Sequence, residues 1–222
     1  MAEPPLTQTR ILRFWLPLAA TWLMMAVEGP FLAALIARLA EPTYNLAAYG
    51  VAYSLALIAE APVIMLMSAA TALARNRRSY LRLRRFTHIL SGAVTLLIVV
   101  TLLPPVFDRL ATDLIGLPPE VAFRTHVALL LLLPWPAAIG LRRMYQGVLI
   151  RAGLTRRVAY GTMLRLGGMT ITGALLALDG RVEGAWVGAA ALSAGVCAEC
   201  VAAALWARRP VRELMRDEAA PS

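Results

Sequence analysis

The sequence predicts an all-α, polytopic membrane protein with six transmembrane helices and both termini in the cytoplasm. Three observations carry that expectation. The 222 residues are 59% hydrophobic and 16% charged, with a mean hydropathy of +0.67, whereas a soluble domain is about half apolar and about a quarter charged. The apolar residues fall into six runs, each close to or above the ~20 residues that a helix needs to cross a bilayer. The arginines cluster between those runs instead of along one face. Little chain remains for a large soluble catalytic domain.

The first run covers residues 11–37, between Arg10 and Arg13 on one side and Arg38 on the other. It exceeds the apolar core of a cleaved signal peptide and lacks a small-residue cleavage site, so it is read as a retained span. The second run, about 45–74, ends in the densest basic stretch of the chain, residues 75–85. A third spans 86–107, and a connection rich in proline and acid (Asp108, Asp113, Pro118, Pro119, Glu120) leads to a fourth from about 121, broken by Pro134 and Pro136. It passes Arg142 and Arg143 and reaches a short loop with Arg151, Arg156 and Arg157. The fifth run is 158–178, and after Asp179-Gly180-Arg181 the sixth runs 182–207. The domain organisation expected is a cytoplasmic tail over 1–10, a membrane domain over 11–207 and a second cytoplasmic tail over 208–222.

Arginine placement sets the orientation, because cytoplasmic flanks carry the positive excess. With the N-terminus inside, seventeen arginines flank inner ends, Arg142 and Arg143 among them, and four (Arg38, Arg109, Arg124, Arg181) flank outer ends. The net charge of +9 comes from arginine alone, as the chain has no lysine. So basic a soluble protein would suggest nucleic acid. Here topology and anionic lipid headgroups account for the charge, and a nucleic-acid or partner site at 75–85 is the lesser reading. The lysine-free, Ala-, Leu- and Arg-rich composition fits a GC-rich bacterial genome, hence a multi-pass protein of the cell inner membrane.

Ionisable groups inside a span are costly, and by default they mark function or a buried pair. Glu28 and Glu60 each begin a similar tripeptide, Glu28-Gly29-Pro30 and Glu60-Ala61-Pro62. A proline within a helix withdraws a donor from the carbonyl four residues earlier and clashes with it, so Pro30 and Pro62 are expected helix breaks that free the carbonyls of Ala26 and Ile58. A carboxylate beside a loosened carbonyl suits a proton, a cation or a cationic substrate, as in transporters with discontinuous helices. The plainer alternative is a packed, hydrogen-bonded core residue beside a bend. Arg165 is eight residues from Arg157 and Glu199 nine from Arg208, which at ~1.5 Å per residue puts them at one depth. A structural Arg165–Glu199 ion pair is the leading reading and substrate contact by Arg165 the lesser. Gly188, Ala191, Gly195 and Glu199 form a stripe of mostly small residues that lets another helix approach, so Glu199 is expected to face protein.

Cys197 and Cys200 share a helix face, but zinc needs four ligands, and the only histidines, His88 and His126, fall near opposite membrane surfaces. No metal site is expected. The sequence has no phosphate-binding glycine loop, no G-x-S-x-G elbow and no His–Cys pairing, so it is read as a non-enzyme without a cofactor, a coupling H+ or Na+ aside.

Arg13-Phe14-Trp15-Leu16-Pro17-Leu18, the later Glu28, and Leu46-Ala47-Ala48-Tyr49-Gly50-Val51-Ala52-Tyr53-Ser54-Leu55 resemble the N-terminal part of the progressive-ankylosis (ANK) transporters. Arg143-Met144-Tyr145-Gln146-Gly147, the basic 151–157 loop and the Gly/Ala-rich last helix are similar to the wider multidrug and toxic compound extrusion (MATE) superfamily, which includes lipid-linked oligosaccharide flippases. The resemblance covers about residues 10–207. It implies one six-helix lobe of a MATE-like transporter, export of an organic solute and a cavity between two lobes, and it matches Glu28 to the acidic residue of the family's first helix. Relatives carry two lobes in one chain, about twelve helices.

The resulting expectation is a half-size transporter that exports a small organic solute by proton- or cation-coupled alternating access. The expected assembly is a parallel homodimer, with Glu28 and Glu60 of both copies on a shared cavity and with membrane lipids, not nucleic acid, as its surroundings. The alternative is a non-transporting scaffold or accessory subunit that pairs with a separate six-helix lobe.

Overall fold

The computed structural model describes residues 7–216, and among them the regular structure is entirely helical. Residues 1–6 and 217–222, the outer parts of the two expected tails, lie outside the described residues. Among the described residues six helical segments are long and apolar enough to cross a membrane: Ile11–Ile36, Pro42–Leu73, Arg77–Thr101, Pro119–Arg151, Thr155–Asp179 and Gly184–Arg216.

Helix α1 (Gln8–Ile36) runs without interruption through Pro17 and Pro30. Pro30 therefore does not break the helix as the sequence suggested. A proline removes one hydrogen bond, and within an apolar segment every remaining backbone bond must still be made internally, which holds the flanking turns together. Pro62 likewise lies inside α2 (Pro42–Ile64), but the segment is interrupted just beyond it at Met65, before α3 (Leu66–Leu73). The other interrupted segment is α6 (Pro119–Leu131) followed by α7 (Trp135–Arg151). Between them Leu133 N donates to Leu130 O at 3.1 Å and Trp135 N to Leu132 O at 3.0 Å, a tightened turn. Pro134 and Pro136 sit at the start of α7, where a missing N–H costs nothing.

Helix α4 (Arg77–Thr101) begins inside the basic stretch rather than after it. Asn76 and Ser79 set that start: Ser79 N donates to Asn76 Oδ1 at 2.9 Å and Asn76 N to Ser79 Oγ at 3.1 Å, a reciprocal cap that satisfies two otherwise orphaned donors. It ends at Pro104 and Pro105, which hold Leu103 in an extended conformation. A short helix α5 (Pro104–Asp108) and a π-helical turn (Arg109–Leu114) complete that connection. Helices α8 (Thr155–Asp179) and α9 (Gly184–Arg216) form the last hairpin, with Gly180 at φ 65° ending α8. Helix α9 continues through Pro210, past the end at Ala207 that its apolar run implied.

Small residues govern the packing. Ala48, Ala52, Ala56 and Ala59 of α2 are buried, as are Ala185, Ala189, Ala191 and Ala203 of α9. A Cβ on Gly195 would lie 2.7 Å from Arg165 O and 3.1 Å from Met169 Cβ, so α8 and α9 cross at backbone contact. One on Gly188 would lie 2.7 Å from Ile36 Cδ1 and 3.0 Å from Tyr49 Cδ2. The stripe Gly188, Ala191, Gly195 and Glu199 thus faces α1, α2, α7 and α8. Large apolar side chains such as Leu23, Ile58, Leu96, Ile171 and Leu175 point outward.

At the end of the bundle holding the α1–α2 and α8–α9 turns, Arg124 of α6 pairs with Glu41 and, at 3.2 Å, with Glu183. Asn45, fully buried, donates to Ala40 O at 2.9 Å and to Glu183 Oε2 at 3.1 Å, and accepts from Ala185 N at 3.0 Å. These bonds fasten α2, α6 and α9 at that end.

Candidate functional site

Three carboxylates and three guanidiniums are buried in one region of the bundle: Glu28 on α1, Glu60 on α2, Glu199 on α9, Arg142 and Arg143 on α7, and Arg165 on α8. Charges so far from water persist only when paired and hydrogen-bonded. The equal numbers let the group be neutral with every member ionised.

Glu199 is the hub. Its Oε2 accepts from Arg142 Nη1 in a close ion pair. Its Oε1 accepts from Gln146 Nε2 at 2.9 Å and Thr162 Oγ1 at 3.2 Å. Arg142 and Gln146 are one helical turn apart, so both reach the same carboxylate from α7. Gly161 makes room on α8: a Cβ there would stand 3.4 Å from Glu199 Cγ.

Arg165 lies between two carboxylates. Nη2 donates to Glu28 Oε2 in a close ion pair, whereas Nη1 is 3.8 Å from Glu199 Oε2. The sequence paired Arg165 with Glu199. The two do meet, but Arg165 makes its hydrogen bond to Glu28 on α1, and Arg142 takes the tight position on Glu199. Two helices at equal depth cannot reveal which third helix inserts between them, which is why the partner was not readable.

Glu60 is held differently. Its Oε2 is buried without a hydrogen-bond partner, and Arg142, Arg143 and Arg165 are the cations that act on it. Arg143 Nη1 approaches Met67 Sδ at 3.8 Å and its guanidinium lies over the Trp22 ring at 5.8 Å. Glu28 Oε1, Arg142 Nε and Nη2, Arg143 Nε, Arg165 Nε and Gln146 Oε1 are also buried without partners. The network therefore keeps spare donors and acceptors.

The sequence reading placed Glu28 and Glu60 on a cavity shared between two copies; here both are covered by the chain's own helices. Pro30 and Pro62 flank them within continuous helix. Arg142 and Arg143 were counted among the inner flanks and are instead buried, which leaves fifteen inner arginines against four outer ones. A signal for Arg142 existed. It lies nine residues from Arg151, the same offset that separates Glu199 from Arg208, and the same depth argument applies to it. Cys197 and Cys200 are both free and half-buried on α9.

In architecture the chain is a multi-pass membrane protein with a charged, solvent-shielded centre. No family model, curated protein or solved structure matches it.

Proposed function

We propose that the chain is a membrane transport lobe of the MATE-like class, and that the buried network is the element through which ion coupling acts. The observation that carries this reading is Arg165 shared between Glu28 and Glu199, next to the unpartnered Glu60 oxygen. Charged groups at such depth are retained against a steep insertion cost. A cation set between two carboxylates has two possible pairings, the kind of two-state element that alternating access needs.

Glu60 is the residue for reversible uptake of H+ or Na+, because among the described residues it alone of the three carboxylates makes no ion pair or hydrogen bond to a guanidinium. Glu28 and Glu199 hold the helices. The arginine bias supports cytoplasmic termini in an inner membrane and hence a parallel arrangement with a second lobe, a further copy of the chain. The solute is a small organic molecule moved outward. The ANK-like residues Arg13 to Leu18 and Leu46 to Leu55 support the transporter class.

A non-transporting accessory subunit is the second reading, favoured by the tight pairing of Glu28 with Arg165 and Glu199 with Arg142. Proteoliposomes with imposed pH and sodium gradients, loaded with a panel of organic cations and anions, separate the two. Gradient-driven flux that falls in Glu60→Gln while insertion and folding persist supports coupling at Glu60. Gradient-driven flux that is unchanged in Glu60→Gln overturns that assignment, and the absence of flux for every solute favours the accessory subunit.

A further inference from the structure

Two hollows adjoin at the arginine-rich end of the bundle. The first, about 470 Å³, lies between α1 and the start of α8, with Arg13, Arg156 and Arg157 around it and Phe14, Leu154 and Tyr160 as its apolar wall. The second, about 420 Å³, lies between α8 and the end of α9, where Arg208, Arg209 and Arg212 stand beside Leu205 and Trp206. Arg157 and Tyr160 line both. No carboxylate lines either hollow among the described residues.

We infer that this double hollow binds one anionic phospholipid whose headgroup carries two phosphodiesters. Each hollow presents several guanidiniums, the group whose planar fork matches phosphate oxygens. Arg157 is fixed in place, its Nη1 donating to Trp206 O at 3.1 Å, so it stands between the hollows as a shared donor. The side chains of Arg13, Arg156, Arg208 and Arg212 make no hydrogen bond or ion pair among the described residues, and Arg209 pairs with the exposed Glu213 at 3.2 Å. Apart from Leu154, which lies in the connection before α8, the apolar walls belong to residues on membrane-crossing segments, with Phe14, Tyr160 and Leu205 exposed. Acyl chains therefore have a surface to lie on directly beneath the phosphates. A soluble phosphate would gain nothing from that surface, and a lipid with one phosphodiester would place its charge in one hollow and leave the other's guanidiniums without a counter-charge. Basic pockets between membrane helices are known headgroup sites on physical grounds.

The test uses the full chain in dodecyl maltoside, titrated with diphosphatidylglycerol, with phosphatidylglycerol at matched phosphate, and with inorganic phosphate. Thermal unfolding and native mass spectrometry report occupancy. Diphosphatidylglycerol is expected to bind one per chain and to raise the unfolding temperature well above either control. Arg156→Gln with Arg208→Gln removes one unpaired arginine from each hollow and is expected to weaken that binding about thirtyfold, the factor for two arginines at about 1 kcal/mol each near a phosphate surface. Arg77→Gln with Arg78→Gln, in the basic stretch outside both hollows, should leave it unchanged. Equal response to phosphatidylglycerol at matched phosphate, an equal response to inorganic phosphate, or equal loss in the Arg77/Arg78 variant would each overturn the inference.

Discussion

Arg142→Met tests the centre of the network. Its guanidinium is fully buried, and it supplies the close ion pair to Glu199. After the substitution Glu199 keeps Gln146 at 2.9 Å and Thr162 at 3.2 Å, two neutral donors to a charged acceptor, worth about 1.5–3 kcal/mol each. Arg165 remains at 3.8 Å, beyond hydrogen-bond reach and already bound to Glu28. Breaking a buried pair by deleting one partner costs roughly 3–5 kcal/mol. Neutral hydrogen bonds inside membrane proteins average only about 0.6 kcal/mol, because the unfolded chain in lipid finds other partners. That discount does not reach a bare carboxylate, for which lipid provides none. With two donors retained, the loss expected is near 3 kcal/mol, the low end of the range.

Combining Arg142→Met with Glu199→Leu should restore most of that stability. The double variant leaves two carboxylates, Glu28 and Glu60, against two guanidiniums, Arg143 and Arg165, and strands only the neutral Gln146 and Thr162 groups. Reversible unfolding in dodecyl maltoside titrated with SDS, followed by helicity, gives the three free energies. A loss below about 1 kcal/mol in the single variant, where 3–5 is usual, or strict additivity in the double, would refute the pairing as drawn.

Two further outcomes follow from the geometry. Gly195→Val should destabilise by about 1–3 kcal/mol, the usual cost of overpacking, because its Cβ meets the Arg165 carbonyl at 2.7 Å, whereas Gly92→Ala on α4, with nothing within 4 Å, should be neutral or slightly stabilising; thermal unfolding of both decides it, and equal loss would deny the close crossing. Single cysteines at Glu120 and Arg156, in a chain lacking Cys197 and Cys200, test orientation. A membrane-impermeant maleimide should label position 120 in intact cells and position 156 only after permeabilisation, and the reverse pattern would overturn the inside placement of the termini.

The six spans were legible because hydropathy is a local property, readable one segment at a time. Their ends were less so. The start of α4 depends on the Asn76–Ser79 exchange, a pair of hydrogen bonds that arginine counting overlooks. Pro30 looked like a break because its local effect is visible, while the neighbouring turns that absorb it are not. At the site, Glu28, Glu60, Arg165 and Glu199 stood out by the cost of placing charge in lipid. Their partners did not, since pairing depends on which helices become neighbours: α1 against α8 brings Glu28 to Arg165, and α7 against α9 brings Arg142 to Glu199. Arg142 and Arg143 were hidden by the same positive-inside reasoning that oriented the chain. An arginine near a helix end and one buried a few turns inside it carry the same letter, and only the distance to the next polar residue separates them.

The network is not uniformly tight, and the gradient has a direction. On α9 both oxygens of Glu199 are engaged by α7 and α8. On α1 Glu28 uses one oxygen and leaves the other unpartnered, and on α2 Glu60 Oε2 has no partner. Backbone-level packing does not follow it: Gly195 sets α9 onto α8 and Gly147 brings α7 against Met67 and Ala70 of α3, but Gly173 and Gly188 set α8 and α9 just as closely on Leu35 and Ile36 of α1 and Tyr49 of α2. The gradient is therefore one of polar engagement, complete at Glu199 and partial at Glu28 and Glu60. Arg165 ion-pairs across it, closely to Glu28 and at longer range to Glu199. Moving α1 away would break the Arg165–Glu28 pair and leave Arg165 only its 3.8 Å approach to Glu199, whose oxygens are already engaged, so the same pair that spans the network also holds α1 to the rest of the lobe.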